Sequence, residues 1–167
     1  DHPRMVNIKK IDKETAYFSG LPVETIKDIG VKISTLPQDK VFHRLIKKIF
    51  EQRVHTIESG EGIDWGTAEA LAFATLINDG FHVRISGQDV EEELSHIDTT
   101  RILLGQDGYY NPINEYAEDT NGTRRFIASN SHLSEFAVMG YELGYAQTHP
   151  NTLSMWEAQF GDFANGA

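Results

Sequence analysis

The sequence predicts an α/β fold built on a parallel sheet. Three observations carry that expectation. Short β-branched runs at 82–89, 125–128 and 152–158 read as strands. A largely apolar helical pattern over 67–78 leads directly into the first of them. A second apolar helix over 134–145 separates the other two, and strand, helix, strand in this order favours parallel pairing with a crossover.

Taken in order, residues 1–35 alternate charge, Pro and Gly with short apolar pieces and read as a linker with a short helix over 23–29. From Leu36-Pro37, the residues Val41, Leu45, Ile46, Ile49 and Phe50 fall at helical spacing, with Lys40, Arg44, Lys47, Lys48 and Glu51 opposite, so an amphipathic helix is expected to continue to Ile57. Ser59-Gly60-Glu61-Gly62 breaks it. Asp64 then reads as the N-cap of the apolar helix, which Gly80 ends and whose composition requires burial on more than one side. The next strand finishes at Gln88 and Asp89, and in open parallel sheets ligands gather outside the carboxyl ends of the strands. Residues 91–121 read as a long polar loop with a helical turn near 100–104, and Gly105-Gln106-Asp107-Gly108 as a turn within it.

Composition bounds the function classes. The 167 residues, 40% hydrophobic, fit one domain of ordinary size. Fifteen basic against 25 acidic residues give a net charge of −10, which repels polyanions and disfavours nucleic acid. No apolar run approaches the roughly 18 residues that cross a bilayer, so no membrane role is expected. The chain contains no cysteine, which excludes disulfides and thiolate metal sites and fits a reducing compartment. Its start, Asp1-His2-Pro3-Arg4, has neither an initiator Met nor a signal-peptide core, and reads as cut from something longer.

Glu135 follows Ser131-His132-Leu133-Ser134 in the first turn of the second apolar helix. Alone, a carboxylate there is explained by the helix dipole. Its company adds a functional reading: Gly140, Gly144 and Ala146 suit close packing, and the last strand ends in the aromatic and acidic cluster Trp156-Glu157-Ala158-Gln159-Phe160-Gly161-Asp162-Phe163. With Gly60-Glu61-Gly62-Ile63-Asp64-Trp65, Ser86-Gly87-Gln88-Asp89-Val90 and the run from Ser129 to Ala167, these strings resemble, in order and spacing, the pyrimidine-binding domain of the thiamine-diphosphate-dependent 2-oxoglutarate dehydrogenase decarboxylating subunit and its 2-oxoadipate relative.

The resemblance implies a transketolase-type pyrimidine-binding domain, incomplete, over 36–167. It implies that Glu135 hydrogen-bonds N1′ of the cofactor aminopyrimidine and favours the imino tautomer that deprotonates the thiazolium C2. Leu133 would pack against thiamine diphosphate, Phe160 stack on its pyrimidine, Phe163 extend that wall, and Gln88 reach it with its amide. Read without the resemblance, the two phenylalanines are ordinary core residues and Gln88 a turn residue. The implied partners are 2-oxoglutarate, a lipoyl-bearing acyltransferase subunit and, in the full-length protein, a second copy. The implied place is the mitochondrial matrix, or the cytoplasm of a bacterium. Mg²⁺ would be held by a domain absent from this sequence, and this chain alone should bind no metal.

One loop departs from the pattern. Where the family has Arg-Gly-Thr, an aromatic residue and Ser-His-Arg-His, this chain has Glu92-Glu93-Leu94-Ser95-His96-Ile97-Asp98. Only Ser95-His96 survives, which leaves His96 as a candidate catalytic residue and sets three consecutive acids, from Glu91, where a dicarboxylate substrate would approach. That departure opens an alternative, a non-catalytic interaction or regulatory fragment of the same family.

Overall fold

The computed structural model describes residues 20–88, 90, 102–104, 108–119 and 125–158. Three helices come first: α1 (Val23–Ser34), α2 (Arg44–Ser59) and α3 (Trp65–Asn78). Strand β1 (His82–Gly87) comes next, then the short pair β2 (Ile102–Leu103) and β3 (Tyr109–Tyr110), α4 (Pro112–Asp119), β4 (Phe126–Asn130), α5 (Glu135–Thr148) and β5 (Thr152–Glu157). The main sheet is parallel in the order β4-β1-β5, with Val83 opposite Phe126 and Leu153. The α/β expectation therefore holds.

Alternation along β1 sorts the layers. Val83 and Ile85 point into a core with Phe73 and Ile77 of α3, Ile113 and Ala117 of α4, and Phe126 of β4. The Phe73 and Phe126 rings lie 5.4 Å apart. Arg84 and Ser86 point the other way, onto α5. The sheet is thus sandwiched between α3 with α4 and α5.

Helix α3 is buried on two sides, as its composition requires. Ala70, Leu71 and Ala74 meet Ile29 and Ile33 of α1 and Ile57 of α2. Asp64 caps it, accepting the Thr67 N–H at 2.7 Å. A tight turn closes the helix, in which Gly80 at φ +101° lets Phe81 donate back to the Leu76 carbonyl at 2.9 Å and sends β1 antiparallel to α3.

Several boundaries differ from the sequence reading. Helix α1 runs to Ser34 instead of stopping near Ile29 and packs its buried Ile29 and Ile33 into the helical layer. Helix α2 begins at Arg44, because the His43 ring Nδ1 accepts the Leu45 N–H at 3.2 Å and caps it there. The expected helical turn near 100–104 is a strand at Ile102–Leu103, paired antiparallel with Tyr109–Tyr110. The expected long loop contains α4: Asn111 Oδ1 accepts the Asn114 N–H at 3.0 Å, and Pro112 occupies the first helical position, where its missing N–H costs nothing. Among the described residues no helix is long and apolar enough to cross a membrane.

Candidate functional site

The three parallel strands end in line, with Gly87 opposite Asn130 on one side and Glu157 on the other. The segments leaving the three strands therefore collect at one edge. After β1 comes exposed Gln88, after β4 the segment 131–134 leading into α5, and after β5 Ala158. The first two are tied together: Ser131 N–H donates to the Gly87 carbonyl at 2.7 Å, and Ser131 Oγ accepts the Leu133 N–H at 3.3 Å. The loop before Glu135 is thus fixed beside Gln88.

Leu133 is 42% exposed, which offers an apolar surface at this edge. Ser134 occupies the N-cap position of α5, yet its hydroxyl makes no capping bond to the first turn. Glu135 opens the helix at its positive end, where a carboxylate is favoured. Since α3 runs antiparallel to β1, its N-terminus lies at the same edge, and Trp65 in its first position is 87% exposed. Asp64 is engaged as the cap. Burial raises its pKa, but the Thr67 hydrogen bonds and the nearby Arg53 charge outweigh that and hold it below the ordinary carboxylate range.

Of the candidate residues, the fold brings Gln88, Leu133 and Glu135 to one edge. His96, Phe160, Phe163 and the acidic loop at 91–93 lie outside the described residues. Among the described residues no group of three or more His, Asp or Glu side chains is placed to hold a metal. A cavity of about 510 Å³ between the end of α1 and α2, lined by Ser34, Leu36, Phe42, Lys47 and Phe50, takes none of its walls from the sheet.

One charged cluster carries no motif. Glu142 of α5, 7% exposed, accepts Arg84 Nη2 at 3.0 Å and Ser86 Oγ at 2.7 Å on Oε1, and Arg84 Nε at 3.1 Å and Ser154 Oγ at 2.7 Å on Oε2. Arg84 also lies over the Tyr145 and Tyr141 rings, 5.0 and 5.6 Å from their centroids. Burial pushes the Glu142 carboxyl up, but the bonds from Arg84, Ser154 and Ser86 together with the Arg84 charge hold it below the usual range. The only sequence signal for this cluster is an acid in an otherwise apolar helix, facing strands in which polar and apolar residues alternate.

A parallel sheet whose carboxyl edge meets a helix N-terminus is the arrangement in which α/β domains hold ligands. Residues 61–167 match the family described as transketolase, pyrimidine binding domain, and the chain belongs to that family. It is 45% identical over 153 residues to the mitochondrial 2-oxoglutarate dehydrogenase of Schizosaccharomyces pombe, covering 91% of this chain. Against the 2-oxoglutarate dehydrogenase E1 component of Brucella ovis it is 44% identical over 157 residues, 93% of this chain. The chain spans 15% of the length of each of these relatives.

Proposed function

We propose that this chain is the pyrimidine-binding part of a thiamine-diphosphate-dependent 2-oxoglutarate dehydrogenase component, which decarboxylates 2-oxoglutarate and passes the succinyl group to a lipoyl-bearing acyltransferase subunit. The observation that carries the reading is the 2.7 Å bond from Ser131 to Gly87, which sets the Leu133–Glu135 segment against Gln88 at the carboxyl edge of the sheet.

The residues at that edge suit an aminopyrimidine: an apolar Leu133, an amide at Gln88 and a carboxylate at Glu135. When bound, thiamine diphosphate supplies a thiazolium carbon able to attack a 2-keto group. Glu135 would hold a proton at N1′ of the pyrimidine, Leu133 would exclude water from that face, and Gln88 would orient the ring through its amide. Phe160 and Phe163 would complete the apolar wall, and His96 is the candidate group toward the substrate. The diphosphate and Mg²⁺ would rest on another domain.

The exposed side of α5 suits a second copy in the full-length protein. It carries Phe136, Met139 and Leu143, and a Cβ added at Gly140 or Gly144 meets nothing within 4 Å, so another backbone can approach closely. By its relatives, the protein would work in the mitochondrial matrix, or in the cytoplasm if its source is bacterial.

Calorimetric titration of thiamine diphosphate with Mg²⁺ into the full-length protein tests the reading. Binding is expected, and Glu135→Gln is expected to abolish decarboxylation while leaving much of the diphosphate affinity. Absence of binding defeats the reading. Binding without turnover on 2-oxoglutarate favours the non-catalytic alternative, which the run Glu91-Glu92-Glu93 supports, unless 2-oxoadipate is turned over, which favours the 2-oxoadipate relative.

A further inference from the structure

Helix α5 is attached to the sheet through few residues. Among its described positions only Val138 and Glu142 are buried, while Phe136, Met139, Gly140, Tyr141, Leu143 and Gly144 are exposed. A single apolar contact such as Val138 tolerates a range of helix rotations, since packing against a sheet is not directional. The Glu142 bonds are directional, and their donors stand on two neighbouring strands, Arg84 and Ser86 on β1 and Ser154 on β5. Together they fix how far α5 is turned about its axis and how far it has slid along the sheet.

We infer that Glu142, with Arg84, Ser86 and Ser154, forms a positioning device that sets the rotation of α5 and thereby the place of Glu135, its first residue. Glu135 begins the same helix two turns earlier, about 10 Å along the axis. A turn of about 10° moves a group on the rim of a helix 10–12 Å across by about 1 Å. A misplacement of about 1 Å in a reacting group costs roughly 100-fold in rate. Stability alone accounts poorly for the cluster, because a buried ion pair replaced by apolar residues of similar volume is often as stable or more so. The inference rests on the role proposed for Glu135.

The test uses the full-length protein and two variants. Arg84→Met/Glu142→Met keeps the volume and removes both charges; Ser154→Ala removes one hydrogen bond and leaves the ion pair. Melting temperature, kcat and KM for 2-oxoglutarate, and the near-ultraviolet circular-dichroism band of the imino tautomer are measured with thiamine diphosphate and Mg²⁺ present. The double variant is expected to melt close to the parent, to lose roughly 100-fold in kcat with KM little changed, and to lose the tautomer band. Ser154→Ala is expected to lose roughly fivefold in kcat. A folded double variant with parental kcat and band overturns the inference, and if that variant fails to fold, parental kcat and band in Ser154→Ala overturn it equally. Glu135→Gln separates the two readings. If it is inactive while the double variant is fully active, the function stands and the positioning role falls; if the parent binds no thiamine diphosphate, both fall.

Discussion

Asn114 and Phe126 hold each other through two hydrogen bonds. The Asn114 Nδ2 amide donates to the Phe126 carbonyl at 2.9 Å, and the Phe126 N–H donates to Asn114 Oδ1 at 2.8 Å. Because β4 is an edge strand among the described residues, one side chain of α4 here takes the place of a neighbouring strand. Asn114→Ala leaves both backbone groups without partners and is expected to cost about 2–3 kcal/mol in urea denaturation. Parental stability would remove the edge-covering role.

Gly87 ends β1 at the point where the site begins. An added Cβ would collide with Val90 Cγ2 and come within 3.3 Å of the Glu157 carbonyl. Gly87→Ala is expected to destabilise the fold by about 1–3 kcal/mol and to weaken thiamine diphosphate binding, because the strand end that receives Ser131 must shift. Calorimetry and denaturation on the same sample read both effects.

Acid should loosen the attachment of α5. Glu142 and Asp64 both have folded pKa values below their ordinary values of 4.5 and 3.8, so each contributes stability that is fully present above those values and is lost as pH falls through the lower folded ones. Urea midpoints measured from about pH 6 to about pH 2 should fall steeply at the acid end. The slope should be shallower in Arg84→Met/Glu142→Met; an identical slope would deny Glu142 its share.

The open face of α5 separates fold from assembly. Gly140→Ala should raise the stability of the helix by about 0.5–1 kcal/mol, since the new methyl meets nothing within 4 Å and alanine loses less backbone entropy. In the full-length protein the same change, combined with Phe136→Ser, should weaken self-association in sedimentation. Unchanged association would place the contact elsewhere.

How much of the fold is legible in the sequence depends on how local each signal is. The main strands and α3 announce themselves by period and by Gly80, and the parallel order comes from α5 lying between two strands. Helix α4 escapes because Asn111-Pro112 resembles a turn until Asn111 is seen capping the helix that Pro112 begins. Strand β2 escapes because two residues have no period, and it exists only through pairing with Tyr109–Tyr110. At the site, the chain positions of Gln88, Leu133 and Glu135 are legible as strand-end and helix-start residues. The Glu142 cluster is not, since it joins residues from β1, α5 and β5 that no local pattern links.

The central place of β1 has a consequence for how the chain acquires its structure. A strand flanked by β4 and β5 meets both neighbours only late in the sequence, Val83 finding Phe126 and His82 finding Thr152. The contacts among α1, α2 and α3 are closer in sequence, while β1 lacks its first partner until β4 is available and its second until β5 is. Such distant pairings make folding slow and leave apolar Val83 and Ile85 open to wrong partners in the meantime. In the folded chain Phe73 and Ile77 of the helical layer cover that apolar face of β1, so the strand's exposure to wrong partners ends only when it packs against them.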